Sequence, residues 1–242
     1  QRLLKITNEV IEIKDYDETH YNINEIKGNI EFENVSFKYG NSLPYVLRNI
    51  NIKIEAGQTV AFVGNTGEGK TSLINLIPRL YDTTEGKVKI DGFDVKQIPI
   101  KVIRRNIGLV PQETFLFSDT LENNILFGVK SKKAGIMQNA ASIASLTKDV
   151  EQFPEGFNTV LGEKGITLSG GQKQRTALAR AIATDPKILI LDDSFSAVDT
   201  NTEDEILAKL KDFMKGRTSI IISHRISTVK NADKIFVINK GK

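Results

Sequence analysis

The chain has 242 residues, 40% hydrophobic and 26% charged, which suits one large domain or two small lobes around a buried core and excludes a disordered or fibrous protein. Lys and Arg (33) outnumber Asp and Glu (30) by only three, and the charge is spread along the chain, so no basic stripe points to nucleic acid. Zero Cys excludes disulfides, zinc ribbons, iron–sulfur clusters and thiol nucleophiles, and two His argue against a His-rich metal site.

No apolar run approaches the roughly 20 residues needed to cross a bilayer, and no signal-peptide pattern is visible. The chain opens on Gln1 rather than Met and stops at Lys242 as a strand runs into a turn, so it reads as a fragment with a truncated C-terminus. Helical spacing shows over residues 2–13 (Leu3, Leu4, Ile6, Val10, Ile13), and 15–28 is charged and turn-rich, as a linker is. From Asn29 the pattern alternates. Ile30, Phe32, Val35 and Phe37 predict a half-buried strand, and Leu47, Ile50, Ile52 and Ile54 predict a second strand antiparallel to it, before Gly57. An apolar run at 59–63 precedes a glycine-rich loop and a helix over 70–77. Strands follow over 87–90, ending in an Asp91-Gly92 turn, and over 107–110. Residues 119–185 carry helices over 121–126, 134–146 and 171–184, the last stopped by Asp185-Pro186. A strand at 188–191, a helix at 202–214, a strand at 219–222, a short helix at 226–229 and a strand at 235–238 complete the series. Strand–helix alternation on both sides of a helical block predicts a parallel α/β core with an inserted helical lobe.

Between the strand at 59–63 and the helix that follows lies Gly64-Asn65-Thr66-Gly67-Glu68-Gly69-Lys70-Thr71, which fits G-x-x-x-x-G-K-[ST] in the right context. Glycines let the backbone wrap phosphate oxygens with N–H groups turned inward, and the helix start adds positive potential. Lys70 is placed to reach the β and γ phosphates and the Thr71 hydroxyl to bind Mg²⁺. The apolar run 188–191 ends in Asp192, which can hold Mg²⁺ at the carboxyl edge of a sheet, although a strand-ending Asp is also an ordinary loop cap. Asp193 follows, facing another way, where it can orient an attacking water.

Leu168-Ser169-Gly170-Gly171-Gln172 resembles the signature motif of ATP-binding cassette proteins. Its glycines expose backbone N–H groups at a positive helix end, a second anion site in one chain, useful if another copy supplies the first half of the pocket. The resemblance covers about residues 29–242. It implies a P-loop NTPase (RecA-like) α/β core with an antiparallel β subdomain at 29–60 and an inserted α-helical subdomain at about 119–185, behind a linker at 1–28 from a transmembrane domain. It implies ATP and Mg²⁺ as cofactors. Phosphate binding falls to residues 64–71 and Ser72, and the opposing contact to Ser169, Gly170, Gly171 and Gln172. Metal binding falls to Thr71, Asp192 and Gln112, and catalysis to Asp193, His224 and Gln112. Tyr39 is similar to the aromatic that stacks on adenine, and Asp199, in Ser196-Ala197-Val198-Asp199, to the loop that crosses the dimer interface. Taken alone, Tyr39 is equally a strand-end core residue, Gln112 a polar loop residue, Asp199 part of a helix N-cap and His224 a structural His. His20 matches nothing and reads as solvent-exposed.

Gly162-Glu163-Lys164-Gly165 resembles the exporter loop that contacts transmembrane domains, and alone is a charged turn. With the leading segment, it favours the ATPase domain of an exporter at the cytoplasmic face of a membrane. The implied partners are a second cassette domain and transmembrane domains, with no nucleic acid. One departure is Asp193 where the family pattern has Glu. Its carboxylate falls about 1 Å short, a misplacement that can cost on the order of a hundredfold in rate. A weakened site favours a heterodimer over a homodimer, and leaves a regulatory module without turnover as an alternative. A soluble cassette protein acting in translation or DNA repair is the other.

Overall fold

The computed structural model describes residues 11–130, 134–162 and 168–242. The first strands, β1 (Ile30–Phe37) and β2 (Leu47–Ile54), pair antiparallel, with Ile30 opposite Ile54 and Phe32 opposite Ile52. β3 (Thr59–Val63) leaves for a second sheet and runs through the phosphate loop into α1 (Lys70–Asn75). β4 (Glu85–Ile90) and β5 (Phe93–Asp94) return to the first sheet, whose order is β2-β1-β4-β5. The antiparallel sheet therefore extends beyond the expected 29–60, because β1 carries a partner on each edge, and residues 59–60 already belong to the other sheet. The Asp91-Gly92 turn has both residues at positive φ (53° and 86°), the two-residue geometry that matches strand twist. β5 after it is too short to show a period.

After α2 (Ile100–Arg105), β6 (Ile107–Val110) joins β7 (Ile188–Asp192), β8 (Thr218–Ile222), β3 and β9 (Lys234–Val237) in a parallel sheet of order β6-β7-β8-β3-β9. Between β6 and β7 lie α3 (Leu121–Ile125), α4 (Ile136–Ile143), α5 (Thr147–Val150), a 3₁₀ turn at Gly156–Asn158 and α6 (Gly170–Ala183). Among the described residues of this block the one β-type contact is an isolated Thr120–Val160 bridge, as the helical reading expects. α7 (Thr200–Met214) and α8 (Ile226–Val229) flank β8. The sequence reading did not find α2 and α5. Each has six residues or fewer and lacks a side-chain cap at its start.

Period two within the buried strands divides the molecule into two cores. Ile188, Ile190, Ile220 and Ile222 pack with β1, β2, β4 and α1, while Leu189, Leu191 and Ile221 pack with α3–α7. Both faces of β7 and β8 are covered, so Ile188–Leu191 and Ile220–Ile222 are continuous apolar runs rather than alternating ones. Each such side chain contributes about 1.5–3 kcal/mol on burial, which fixes these strands firmly and with them the loops at their carboxyl ends.

The expected linker has no regular element within 11–29, yet it lies against the domain. Ile26 is buried, the Asp15 carboxylate accepts the Ile100 N–H at 2.9 Å, and the Asp91 carboxylate accepts the N–H groups of Lys27 (2.5 Å) and Asn29 (2.9 Å). The helical spacing over 2–13 and the loop at 162–165 fall largely outside the described residues. No helix among the described residues is long and apolar enough to cross a membrane.

Candidate functional site

The parallel sheet delivers three loops to one edge: residues 64–69 after β3, residue 193 onward after β7, and 223–225 after β8. They enclose a cleft of about 340 Å³ lined by Thr66, Gly67, Gly69, Lys70, Thr71 and Ser72, with Gln112, Asp192, Asp193, His224 and Tyr39 around it. Ligands in open α/β sheets settle at such carboxyl edges. Val46 and Ile222 complete the wall, two apolar residues for which the sequence offered no signal.

Lys70 is only 6% exposed, and its ammonium donates to the Gly64 carbonyl at 2.8 Å and the Asn65 carbonyl at 2.7 Å. Burial pushes its pKa down, while Asp192, Glu68 and Asp193 pull the other way. Two loop glycines differ in what they serve. A Cβ on Gly64 (φ 145°) would stand 2.2 Å from the Ile238 carbonyl oxygen, so the fold demands glycine there. A Cβ on Gly67 (φ 84°) would meet nothing within 4 Å, so the backbone there opens onto space a phosphate can take. The Glu68 carboxylate accepts the Lys240 N–H and fastens the loop to the last turn of the chain.

The Thr71 hydroxyl donates to Asp192 Oδ2 at 2.9 Å, bringing together the two oxygen donors expected at the metal. Asp192 is 3% exposed, and burial raises its pKa despite that hydrogen bond. No group of three or more His, Asp or Glu able to hold a metal occurs among the described residues. A carboxylate and a hydroxyl beside a phosphate cradle fit Mg²⁺, which keeps waters and takes phosphate oxygens rather than an all-protein cage. When bound, it would neutralise phosphate charge.

Asp193 is half-buried with φ 44°, and its N–H donates to the Ile222 carbonyl at 2.9 Å, tying the β7 loop to the end of β8. Gln112 and His224 are exposed at the cleft. The Tyr39 ring stands edge-on to Phe37 (4.8 Å) and Tyr81 (5.1 Å), and its hydroxyl is 2.8 Å from Ser72 Oγ.

The remaining residues singled out in the sequence are not among those lining this cleft. Ser169 caps α6. Its hydroxyl accepts the Gln172 N–H at 3.2 Å while the Gln172 side chain accepts the Ser169 N–H at 2.9 Å, a reciprocal capping box. Gly170 and Gly171 press on Ala197, where a Cβ on Gly171 would stand 2.9 Å from a carbonyl oxygen. Asp199 caps α7, and the Thr202 N–H holds its carboxyl below the usual range. Gln174, which the sequence reading did not single out, binds the Ser196 hydroxyl (2.8 Å) and the Ala197 N–H (3.0 Å). Its signal was a polar residue in register with the buried Ala177, Leu178 and Ala181 of α6.

A glycine-rich loop, a buried lysine and a hydrogen-bonded Thr–Asp pair at the edge of a parallel sheet fit a nucleotide-binding domain of the P-loop class. The sequence profile of the ABC transporter family matches residues 47–196. The chain belongs to that family. It is 46% identical over 242 residues to the ATP-dependent lipid A-core flippase of Syntrophus aciditrophicus (strain SB), covering all of this chain and 40% of that protein. It is 41% identical over 241 residues to heavy metal tolerance factor 1 of Caenorhabditis elegans, covering 30% of that protein. A solved bacterial Atm1-family ABC exporter with ATP bound superposes with a TM-score of 0.93 at 34% identity, over 99% of this chain and 42% of that one. The chain thus spans about two fifths or less of the length of these relatives.

Proposed function

We propose that the chain is the ATP-hydrolysing motor of an exporter at the cytoplasmic face of a membrane. The observation that carries this is the cleft itself, where Lys70, donating to two loop carbonyls, lies beside the Thr71–Asp192 pair. With ATP bound, phosphate oxygens would replace those carbonyls as acceptors for Lys70, Thr71 and Asp192 would hold Mg²⁺ to neutralise phosphate charge, and Tyr39 would stack on the base. Asp193 orients a water for in-line attack on the γ-phosphorus, with Gln112 and His224 alongside, and ADP leaves. The signature end of α6 belongs to the other half of a paired site, so two domains enclose two ATP molecules between them. Closure on ATP and reopening after hydrolysis move the transmembrane partner.

An exposed aromatic patch supports that partner. Phe115 (54% exposed) and Phe127 (56%) flank Phe117, with ring centroids 5.1 and 4.5 Å apart, three to fifteen residues beyond Gln112. Arg180 lies beneath, donating to the Phe115 carbonyl at 2.9 Å. Contiguous apolar surface of this kind marks an interaction site. A second reading rests on Asp193. The shorter carboxylate makes this a slow site, and a partner with Glu there turns over faster, as a heterodimer. The test is Lys70→Ala in calorimetry with ATP. ATP affinity should fall by about a hundredfold or more, since a charge-assisted contact to phosphate is lost. Unchanged affinity contradicts the nucleotide assignment.

A further inference from the structure

The loop that carries His224 is fastened at both ends. At its root, the carbonyl of Ile222 accepts the Asp193 N–H at 2.9 Å. At its far end, the Arg225 guanidinium donates to the Val198 carbonyl at 3.3 Å through each of its two terminal nitrogens and pairs with the Glu203 carboxylate. Only Ser223 and His224 lie between the fastenings. The Ser223 hydroxyl accepts the Arg225 N–H at 3.1 Å, which tightens the span further.

Glu203 lies in the first turn of α7 and is 1% exposed. Its second oxygen accepts the Thr228 hydroxyl at 2.6 Å, and Thr228 is itself buried in α8. One carboxylate thus joins α7, α8 and, through Arg225, the end of the loop that begins at Asp193. Burying a charge is costly, and an apolar residue of similar size commonly serves stability as well or better. What the apolar residue cannot do is fix the distance between two loops that each carry a polar group into the same cleft.

We propose that Glu203 is a positioning residue for His224, acting through Arg225 to hold the His at a set place relative to Asp193. The proposal rests on the reading of His224 as part of an ATP-hydrolysing site. It is tested by single-turnover hydrolysis of ATP with Mg²⁺, alongside ATP affinity by calorimetry. Glu203→Gln keeps the side chain's shape and removes its charge, and should slow hydrolysis about tenfold with affinity changed by less than about twofold. In a His224→Ala background the same change should cost nothing more, because the residue it positions is gone. Arg225 is partly exposed, so Arg225→Lys keeps the charge and loses only the two-pronged grip. It should show the same dependence on His224 with a smaller loss, and it carries the cycle if Glu203→Gln does not fold. Losses that multiply with His224→Ala, or affinity that falls in step with rate, overturn the proposal and leave the site reading standing. Undiminished hydrolysis by His224→Ala overturns both.

Discussion

Two helices in this chain begin at a glycine-rich segment suited to an anion, and they are finished in opposite ways. α1 starts at Gly69 in the left-handed region (φ 96°) with no side-chain cap, and its first residue is the lysine of the cleft. α6 starts at Ser169 with both halves of a capping box already made and with two glycines pressed against Ala197. The first start opens into a pocket built by its own chain. The second has its own chain as partner, and Gln174 bolts it to the loop after Asp193. A capping interaction contributes about 0.5–2 kcal/mol, so an anion must be brought to α6 by something that repays its release. On the proposed function, a second domain closing over ATP supplies that. On that proposal the two ends belong to different halves of a shared site.

The largest effect that can break this contrast comes from the α6 end. Ser169→Arg should lower single-turnover ATP hydrolysis by about a hundredfold, as loss of contacts made across the shared site, while a single chain binds ATP within about twofold of the parent. Weakened binding measured by calorimetry would place Ser169 in the same half as Lys70 and erase the distinction. Next comes the reach of the β7 loop. Asp193→Glu should raise turnover about tenfold at unchanged ATP affinity, by restoring about 1 Å of reach, as a phosphate-release assay can read. Equal rates would show Asp193 to be an adequate substitute and remove the argument for a faster partner. Tyr39→Ala should weaken ATP about fivefold or more, since base stacking is worth about 1–3 kcal/mol, and should leave bare triphosphate binding unchanged.

The smallest effect is the α7 cap. The Thr202 N–H holds the folded-state pKa of Asp199 below its unfolded value. Such a carboxylate stabilises the fold above the unfolded pKa, and that contribution is lost as the pH falls through the folded one. Asp199→Asn, which caps without titrating, should therefore slightly flatten the decline in Tm as the pH falls below the ordinary carboxylate range, followed by circular dichroism. An identical acid decline in both proteins would mean that the cap carries no charge-dependent stability.

Much of this was legible in the sequence because both sources of signal are local. Continuous apolar runs such as 188–191 mark strands buried on two faces, and the glycine–lysine loop marks its own chemistry at fixed spacing. What escaped was short or long-range. The reach of the antiparallel sheet depends on β4 crossing back to β1, which no local period encodes. The docking of 27–29 depends on Asp91, some sixty residues away, and the Glu203–Arg225 clamp joins residues 22 apart whose burial only the fold reveals. Ser169, Gly171 and Asp199 were each legible as residue types, but the sequence could not say that their present partners are Gln172, Ala197 and Thr202.

The central claim is that this chain carries two unlike halves of a site that a second cassette domain completes, a role another copy of this chain can fill. The most direct test is the molar mass in solution by light scattering, without nucleotide and with ATP and Mg²⁺ under conditions that slow hydrolysis. The account predicts one chain alone without nucleotide and a two-chain species with ATP, reverting when ATP is removed. A mass that stays at one chain in saturating ATP, or a two-chain species indifferent to nucleotide, would contradict it.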